Sequence, residues 1–419
     1  LVPTLTVAQN VALGLKSTRE PFLDLEKVTA RIQMLSEAYG LKVDPHAYVW
    51  QLSVGEQQRV EIIKALYRGA GLIILDEPTA VLTPQEVNDL FVTLRHMVKE
   101  GHSLIFISHK LHEVLAISDK VTVLRDGCVI GTSPTREVTR DQLVRMMVGR
   151  DLKALEPRPK KPGVRVLETI DLHVTGDRGK EVLCGVNLEV HSGEILGLAG
   201  VSGNGQRELA EVMAGVRKLS SGCVKIDEKD ITTSSLKERV AAGLAFIPEE
   251  RMRDGVIREF SVEENIFLQE HASPKYTHGI FLDFRKMMAH ASELVNRFAV
   301  KTPRLDTPIK NLSGGNIQKL IMARELSRQP KLLIAAQPTR GVDIGSTEYI
   351  HQCLIQQRDA GTAILLISED LDEIRTLSDR IAVIYEGHIM GVVERNQATV
   401  DQIGLMMAGI SMEEALAGS

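Results

Sequence analysis

Aromatic side chains are scarce in this chain of 419 residues: Phe, Tyr and Trp together make up 4%. That leaves few ring platforms on which nucleic-acid bases could stack. An excess of positive charge is missing as well. Fifty Lys and Arg stand against 55 Asp and Glu, a formal net charge of −5. This argues against a generally basic nucleic-acid binder and leaves open only a local basic patch. Cysteines are few: Cys128, Cys184, Cys223 and Cys353 lie far apart with no CxxC pair. Neither a disulfide framework nor a zinc site is readable, and a reducing cytoplasm is the natural compartment. No apolar run approaches the ~18–20 residues of a membrane span, and no signal peptide opens the chain.

What is present is the make-up of a globular protein, 43% hydrophobic and 25% charged, too apolar for disorder. At ~100–200 residues per domain the length implies two or three domains. The chain opens on Leu1 rather than Met, inside a running pattern, and so reads as a fragment.

An internal repeat organises the whole sequence. Leu52-Ser-Val-Gly-Glu56 recurs as Leu312-Ser-Gly-Gly-Asn316, and the offset of 260 residues holds without gaps as far as Lys120 and Arg380. Asp76-Glu77-Pro78-Thr79 falls on Ala336-Gln337-Pro338-Thr339, and Ser108-His109 on Ser368-Glu369. Upstream, Leu5–Asn10 matches Phe260–Asn265 with an offset of 255. Two homologous modules follow. The expected boundaries are 1–150 for module 1, 151–165 for a Pro- and Lys/Arg-rich linker, 166–413 for module 2 and 414–419 for a tail. Module 1 lacks whatever corresponds to Gly200–Gly205.

Glu194–Ala199, Leu72–Leu75, Ser103–Ile107 and Ala363–Ile367 are short apolar runs, as in strands covered on both faces. Helical patterns at Ser53–Tyr67, Pro84–Glu100, Gly315–Ser327 and Thr347–Asp359 separate such runs. The alternation predicts an α/β fold with mostly parallel sheets.

Gly200-Val-Ser-Gly203-Asn204-Gly205-Gln206-Arg207 has the spacing of a P-loop, in which backbone N–H groups at a helix start cradle phosphate. Gln206 and Arg207 occupy the positions of the usual lysine and magnesium-binding hydroxyl, so the loop is degenerate. A tight turn without nucleotide is the plain alternative. Leu72-Ile-Ile-Leu-Asp76-Glu77 is a strand ending in two carboxylates, where ligands of open α/β sheets sit. Asp76 suits Mg²⁺ and Glu77 suits polarising an attacking water. Ser53, Gly55 and Glu56, and again Ser313, Gly314 and Gly315, lie at helix starts where an anion can bind. An ordinary serine N-cap uses the same geometry. His109 follows a strand end, the place for a sensor of the terminal phosphate.

Together and in this order, these motifs resemble the ATP-binding cassette (ABC) ATPases, over essentially the whole chain apart from the linker. LSVGEQQRVEI in the first module, with LSGGN and PTRGVD in the second, is similar to the fused two-cassette ATPase subunit of bacterial simple-sugar and nucleoside importers, most of all its nucleoside branch. The resemblance implies two P-loop NTPase modules, each with a sheet core and a helical subdomain, the first incomplete. It implies ATP and Mg²⁺ as cofactors, with Asp76 on the metal, Glu77 as base and His109 as sensor. One nucleotide site would join these to Ser313, Gly314 and Gly315. The other would join Gly200, Gly203, Asn204, Gly205, Gln206 and Arg207 to Ser53, Gly55 and Glu56, without hydrolysis, because Ala336, Gln337 and Glu369 replace the three catalytic groups.

The implied partners are integral-membrane permease subunits, indirectly a solute-binding protein, and a second copy of the intact subunit, with no nucleic acid. The implied place is the cytoplasmic face of the membrane, as a peripheral protein. Docking to the permease is expected at Glu249–Asp306 and Leu1–Val49. Leu1–Ser419 by itself is expected to show negligible ATPase and an exposed sheet edge in module 1. The competing classes are a tandem-cassette ATPase of the ribosome or DNA, and a non-hydrolysing regulatory module. The short linker and the failed second site count against the first.

Overall fold

The computed structural model describes residues 1–15, 24–52, 54–79, 84–108, 110–125, 127–149, 162–177, 179–270, 273–278 and 281–417. The expected positions Ser53 and His109, and 151–161 of the linker, lie outside the described residues. The chain divides into two compact units, Leu1–Leu152 and Lys153–Ser419.

In the first unit three helices come first: α1 (Val7–Ala12), α2 (Leu25–Tyr39) and α3 (Val54–Tyr67). Strand β1 (Leu72–Asp76), helix α4 (Pro84–Lys99) and strand β2 (Ser103–Ile107) form a parallel crossover. Helix α5 (Leu111–Ile117), the antiparallel hairpin β3 (Lys120–Arg125) and β4 (Cys128–Pro134), and α6 (Arg140–Val148) complete it. A capping box between Thr139 and Gln142 starts α6, and Gly149 in the left-handed conformation stops it.

The expectation that β1 and β2 are covered on both faces is not met. Ile73 and Leu75 point into a core with Ile63 and Leu94, whereas Leu72 is 53% and Ile74 61% exposed. Helices pack on one face only. An apolar run cannot report this, since both faces of the strand carry aliphatic residues.

The second unit opens on strands β5 (Arg165–Thr175), β6 (Glu181–His191) and β7 (Ile195–Ala199). There follow α7 (Gln206–Ala214), β8 (Ser221–Ile226), β9 (Lys229–Asp230), α8 (Leu236–Ala241) and β10 (Leu244–Ile247). A helical segment comprises α9 (Val262–Ile266), the short hairpin β11 (Thr277–His278) and β12 (Phe281–Leu282), α10 (Phe284–Arg297) and α11 (Gly314–Ser327). The chain ends with β13 (Leu332–Ala336), α12 (Ile344–Asp359), β14 (Ala363–Ile367), α13 (Leu371–Leu377), β15 (Arg380–Tyr385), β16 (His388–Glu394), α14 (Val400–Met407) and α15 (Met412–Ala417).

The main sheet has the order β10-β13-β14-β7-β15-β16, parallel except for the last pair. Every residue of β7, β13 and β14 is buried. Leu333 and Ala335 face one core, and Leu332, Ile334 and Ala336 the other, as the two-residue period of a strand requires. A second sheet, β6-β5-β8-β9, is antiparallel and was not legible in the apolar runs. The expected tail is part of the fold: α15 continues through residue 417, and Ala415 is buried in the core.

The repeat reappears as geometry. Asn10 and Asn265 are fully buried, and each side-chain amide donates to three backbone carbonyls around its own helix start. Among the described residues no helix is long and apolar enough to cross a membrane.

Candidate functional site

Residues at the carboxyl end of a parallel strand face the open end of the sheet, and Asp76 is the last residue of β1. Glu77 follows with φ 46°, its N–H donating to the carbonyl of Ile107 at 2.9 Å. The chain then turns through Pro78 into buried Thr79, whose hydroxyl donates to the Glu113 carboxylate at 2.5 Å. Ser108, at the end of β2, donates to the same oxygen at 3.4 Å. The two loops meant to carry base and sensor are therefore tied together in the first unit. Gly55 and Glu56 lie in the first turn of α3, Gly55 buried.

The second unit repeats this frame without the carboxylates of Asp76 and Glu77. Ala336 ends β13, and Gln337 follows with φ 48°, donating its N–H to Ile367 at 2.8 Å. Glu373 accepts from Thr339 at 2.8 Å and Ser368 at 2.6 Å. Neither Glu113 nor Glu373 was singled out from sequence. The constant offset between them, shared by the two Thr and the two Ser, is the signal that could have found them.

The glycine loop runs from Gly200 to Gly205, between β7 and α7. Gly205 is the N-cap of α7 at φ 102°, and a Cβ there would lie 2.5 Å from the carbonyl oxygen of Val182. Gln206, in the lysine position, accepts from the Asn204 N–H at 3.1 Å and donates to Val201 O at 2.9 Å. Arg207 donates to Glu211 one turn on at 2.7 Å. Asn204 is held by the N–H of Glu386 at 2.9 Å. A cavity of about 260 Å³ brings Gly203, Gln206, Arg207, Gln337 and Glu369 together. Beside it, the Glu249 carboxylate pairs with Arg340. Burial pushes the Glu249 carboxyl up, the Arg340 guanidinium pulls it down and Glu369 adds to the upward push.

The donor sets decide where a hard cation fits. Asp76 and Glu77 offer carboxylates, and Mg²⁺ characteristically takes one or two of these together with substrate phosphates. Ala336, Gln337 and Arg207 offer none at the matching positions, where the carboxylates lining the cavity instead include Glu369 and Glu249. Among the described residues no group of three or more His, Cys, Asp or Glu could hold a metal ion without a nucleotide.

The segment Leu312–Asn316 corrects one expectation. Ser313 takes the N-cap position of α11, but its hydroxyl caps no backbone N–H and instead accepts from the Asn316 amide at 2.8 Å. Asn316 provides the competing donor. Gly314 and Gly315 form the first turn of α11. A Cβ on Gly315 would lie 2.4 Å from the Ser346 hydroxyl, in the first turn of α12, which Asp343 caps and which begins three residues before the expected Thr347.

The ABC transporter family matches residues 1–80 and 183–340 of this chain. The glucose import ATP-binding protein TsgD13 of Haloferax volcanii is 45% identical over 100% of this chain and 82% of its own length. The nucleoside import ATP-binding protein NupA of Lactococcus lactis is 45% identical over 99% of this chain and 82% of its own. The guanosine import ATP-binding protein NupO of Bacillus subtilis is 44% identical over 99% and 82%. With the family matched over more than half of its residues and relatives this similar along nearly all of it, the chain belongs to the ABC transporter family, as one of its ATPases.

Proposed function

We propose that this chain is the ATP-hydrolysing subunit that energises an importer of simple sugars or nucleosides, peripheral at the cytoplasmic face of the membrane. The observation that carries this reading is the 44–45% identity to import ATP-binding proteins along nearly the whole chain. Its partners are integral-membrane permease subunits and, through them, a solute-binding protein. The docking region in the second unit is the segment 249–306, where Glu249, Glu250, Arg253 and Asp254 line a cavity of about 660 Å³.

Hydrolysis is assigned to Asp76 and Glu77. Asp76 would hold Mg²⁺ together with the nucleotide, and the cation would supply charge neutralisation at the phosphates. Glu77 accepts a proton from water as the water oxygen bonds to the γ-phosphorus. The bond from that phosphorus to the β–γ bridging oxygen breaks, and ADP and phosphate leave. Ser313, Gly314 and Gly315, at the start of α11, are assigned anion binding at a positive helix end. The second unit is assigned binding at most, with Gly200–Arg207 as its loop, because Ala336, Gln337 and Glu369 supply neither metal ligand, base nor sensor. ATP binding and release of its products then shift a membrane partner between its access states.

Affinity purification of the tagged chain from cells tests the reading. Recovery of a permease, and ATP-dependent uptake of a sugar or nucleoside by the reconstituted complex, are the expected results. Recovery of ribosomes or DNA without a permease would contradict it.

A further inference from the structure

We infer that Glu113 is a positioning residue for ATP hydrolysis, a buried carboxylate that fixes the loop carrying Glu77 to the end of strand β2. The inference rests on the reading of Glu77 as the base. Glu113 is 2% exposed and Thr79 fully buried. One Glu113 oxygen accepts from Thr79 at 2.5 Å and Ser108 at 3.4 Å. Lys110 lies 3.4 Å from the other and donates to the Thr79 carbonyl at 3.0 Å. A carboxylate so buried persists only where it is paired and hydrogen-bonded.

Its consequence lies two residues before Thr79. Glu77 holds φ 46°, a conformation that persists in a non-glycine residue only where surrounding structure enforces it. The ladder bond to Ile107 pins one side of that turn, and the Thr79–Glu113 bond pins the other. Because Glu113 stands on α5, five residues after Ser108, the Glu77 loop and the end of β2 are held as one piece.

The second unit keeps the same three residue types with a different hydrogen-bond arrangement. Glu373 is 4% exposed and accepts from Thr339 on one carboxylate oxygen and from Ser368 on the other, with Gln337 at φ 48°. Its further partner differs: His351 lies 2.7 Å from Glu373, in place of Lys110. Two different donors around one retained carboxylate indicate that the carboxylate, with its Thr and Ser, is the required part.

The test uses the intact subunit in complex with its permease and four variants: Glu77→Gln, Glu113→Gln, Thr79→Val and Thr79→Ser. Glu113→Gln and Thr79→Val should lower kcat by about tenfold to a hundredfold with KM for ATP within about twofold, the mark of lost positioning rather than lost binding. Thr79→Ser, which keeps the hydroxyl, should hold kcat within about threefold of the parent. A folded Glu113→Gln with kcat within about twofold of the parent overturns the inference. So does an equal loss in Thr79→Val and Thr79→Ser, which decides the matter even where Glu113→Gln does not fold. Persistent turnover in Glu77→Gln would instead remove the base assignment, and the inference with it.

Discussion

Glu77 and Gln337 occupy the same left-handed turn of the two units, at φ 46° and 48°, each donating its N–H to the last residue of the neighbouring strand at 2.9 and 2.8 Å. A strained turn of this kind costs ~1–3 kcal/mol, and the second unit retains it after losing the carboxylate. The frame is thus separable from the chemistry. In a Glu77→Gln background, Gln337→Glu should restore no turnover, because Ala336 still offers no metal ligand and Glu369 still stands in the sensor position. Recovery of as much as about a tenth of the parental kcat in the assembled transporter would refute this.

Asp76 should set the metal requirement. Asp76→Asn is expected to raise the Mg²⁺ concentration giving half-maximal ATPase by about tenfold or more, comparable to loss of a metal-site group. An unchanged Mg²⁺ titration would remove Asp76 from the site.

Gly315 faces α12 so closely that a methyl group has no room. Gly315→Ala would place its Cβ 2.4 Å from Ser346 Oγ and 3.0 Å from Asp343 Oδ2. The expected cost is ~1–3 kcal/mol of stability with reduced ATPase, read by denaturant unfolding and steady-state turnover. A variant as stable as the parent would show that the two helix starts are free to part.

Arg358 is fully buried and donates from Nε to Asp379 at 2.8 Å, while Asp379 also accepts the N–H of Ile195 at 2.9 Å. Asp379→Ala leaves this guanidinium without its main partner and should destabilise the second unit by ~3–5 kcal/mol. Unfolding monitored by far-UV circular dichroism in urea measures this. A loss below ~1 kcal/mol would place the pair among those of little net worth.

Crosslinking locates the permease contact. Val262 and Val7, near which the sequence placed it, are both fully buried. Exposed neighbours serve instead: Phe260 is 40% and Val2 39% exposed. Cysteines there should crosslink to a permease subunit, whereas crosslinks confined to the chain would make these segments supports for α3 and α11 only.

The strand ends were legible because chemistry and periodicity coincide at Asp76 and at Ala336, where a run of aliphatic residues stops at a Pro-Thr turn. The loop of Gly200–Arg207 was legible from spacing alone. The exposure of Leu72 and Ile74 was not, since an aliphatic side chain looks the same in a sequence whichever face it occupies. The β6-β5-β8-β9 sheet escaped for a related reason: its long strands interrupt their alternation at Asp171 and Gly185, both at positive φ. Glu113 was passed over as one charged residue on a short helix, and only the fold shows it buried beneath Thr79.

Steady-state Mg²⁺-ATP hydrolysis by the intact subunit in complex with its permease, comparing Glu77→Gln with Gln337→Ala, tests the central claim most directly. Glu77→Gln should abolish turnover, while Gln337→Ala should leave most of it. Substantial ATPase in Glu77→Gln, or its loss in Gln337→Ala alone, would contradict the assignment of hydrolysis to Asp76 and Glu77.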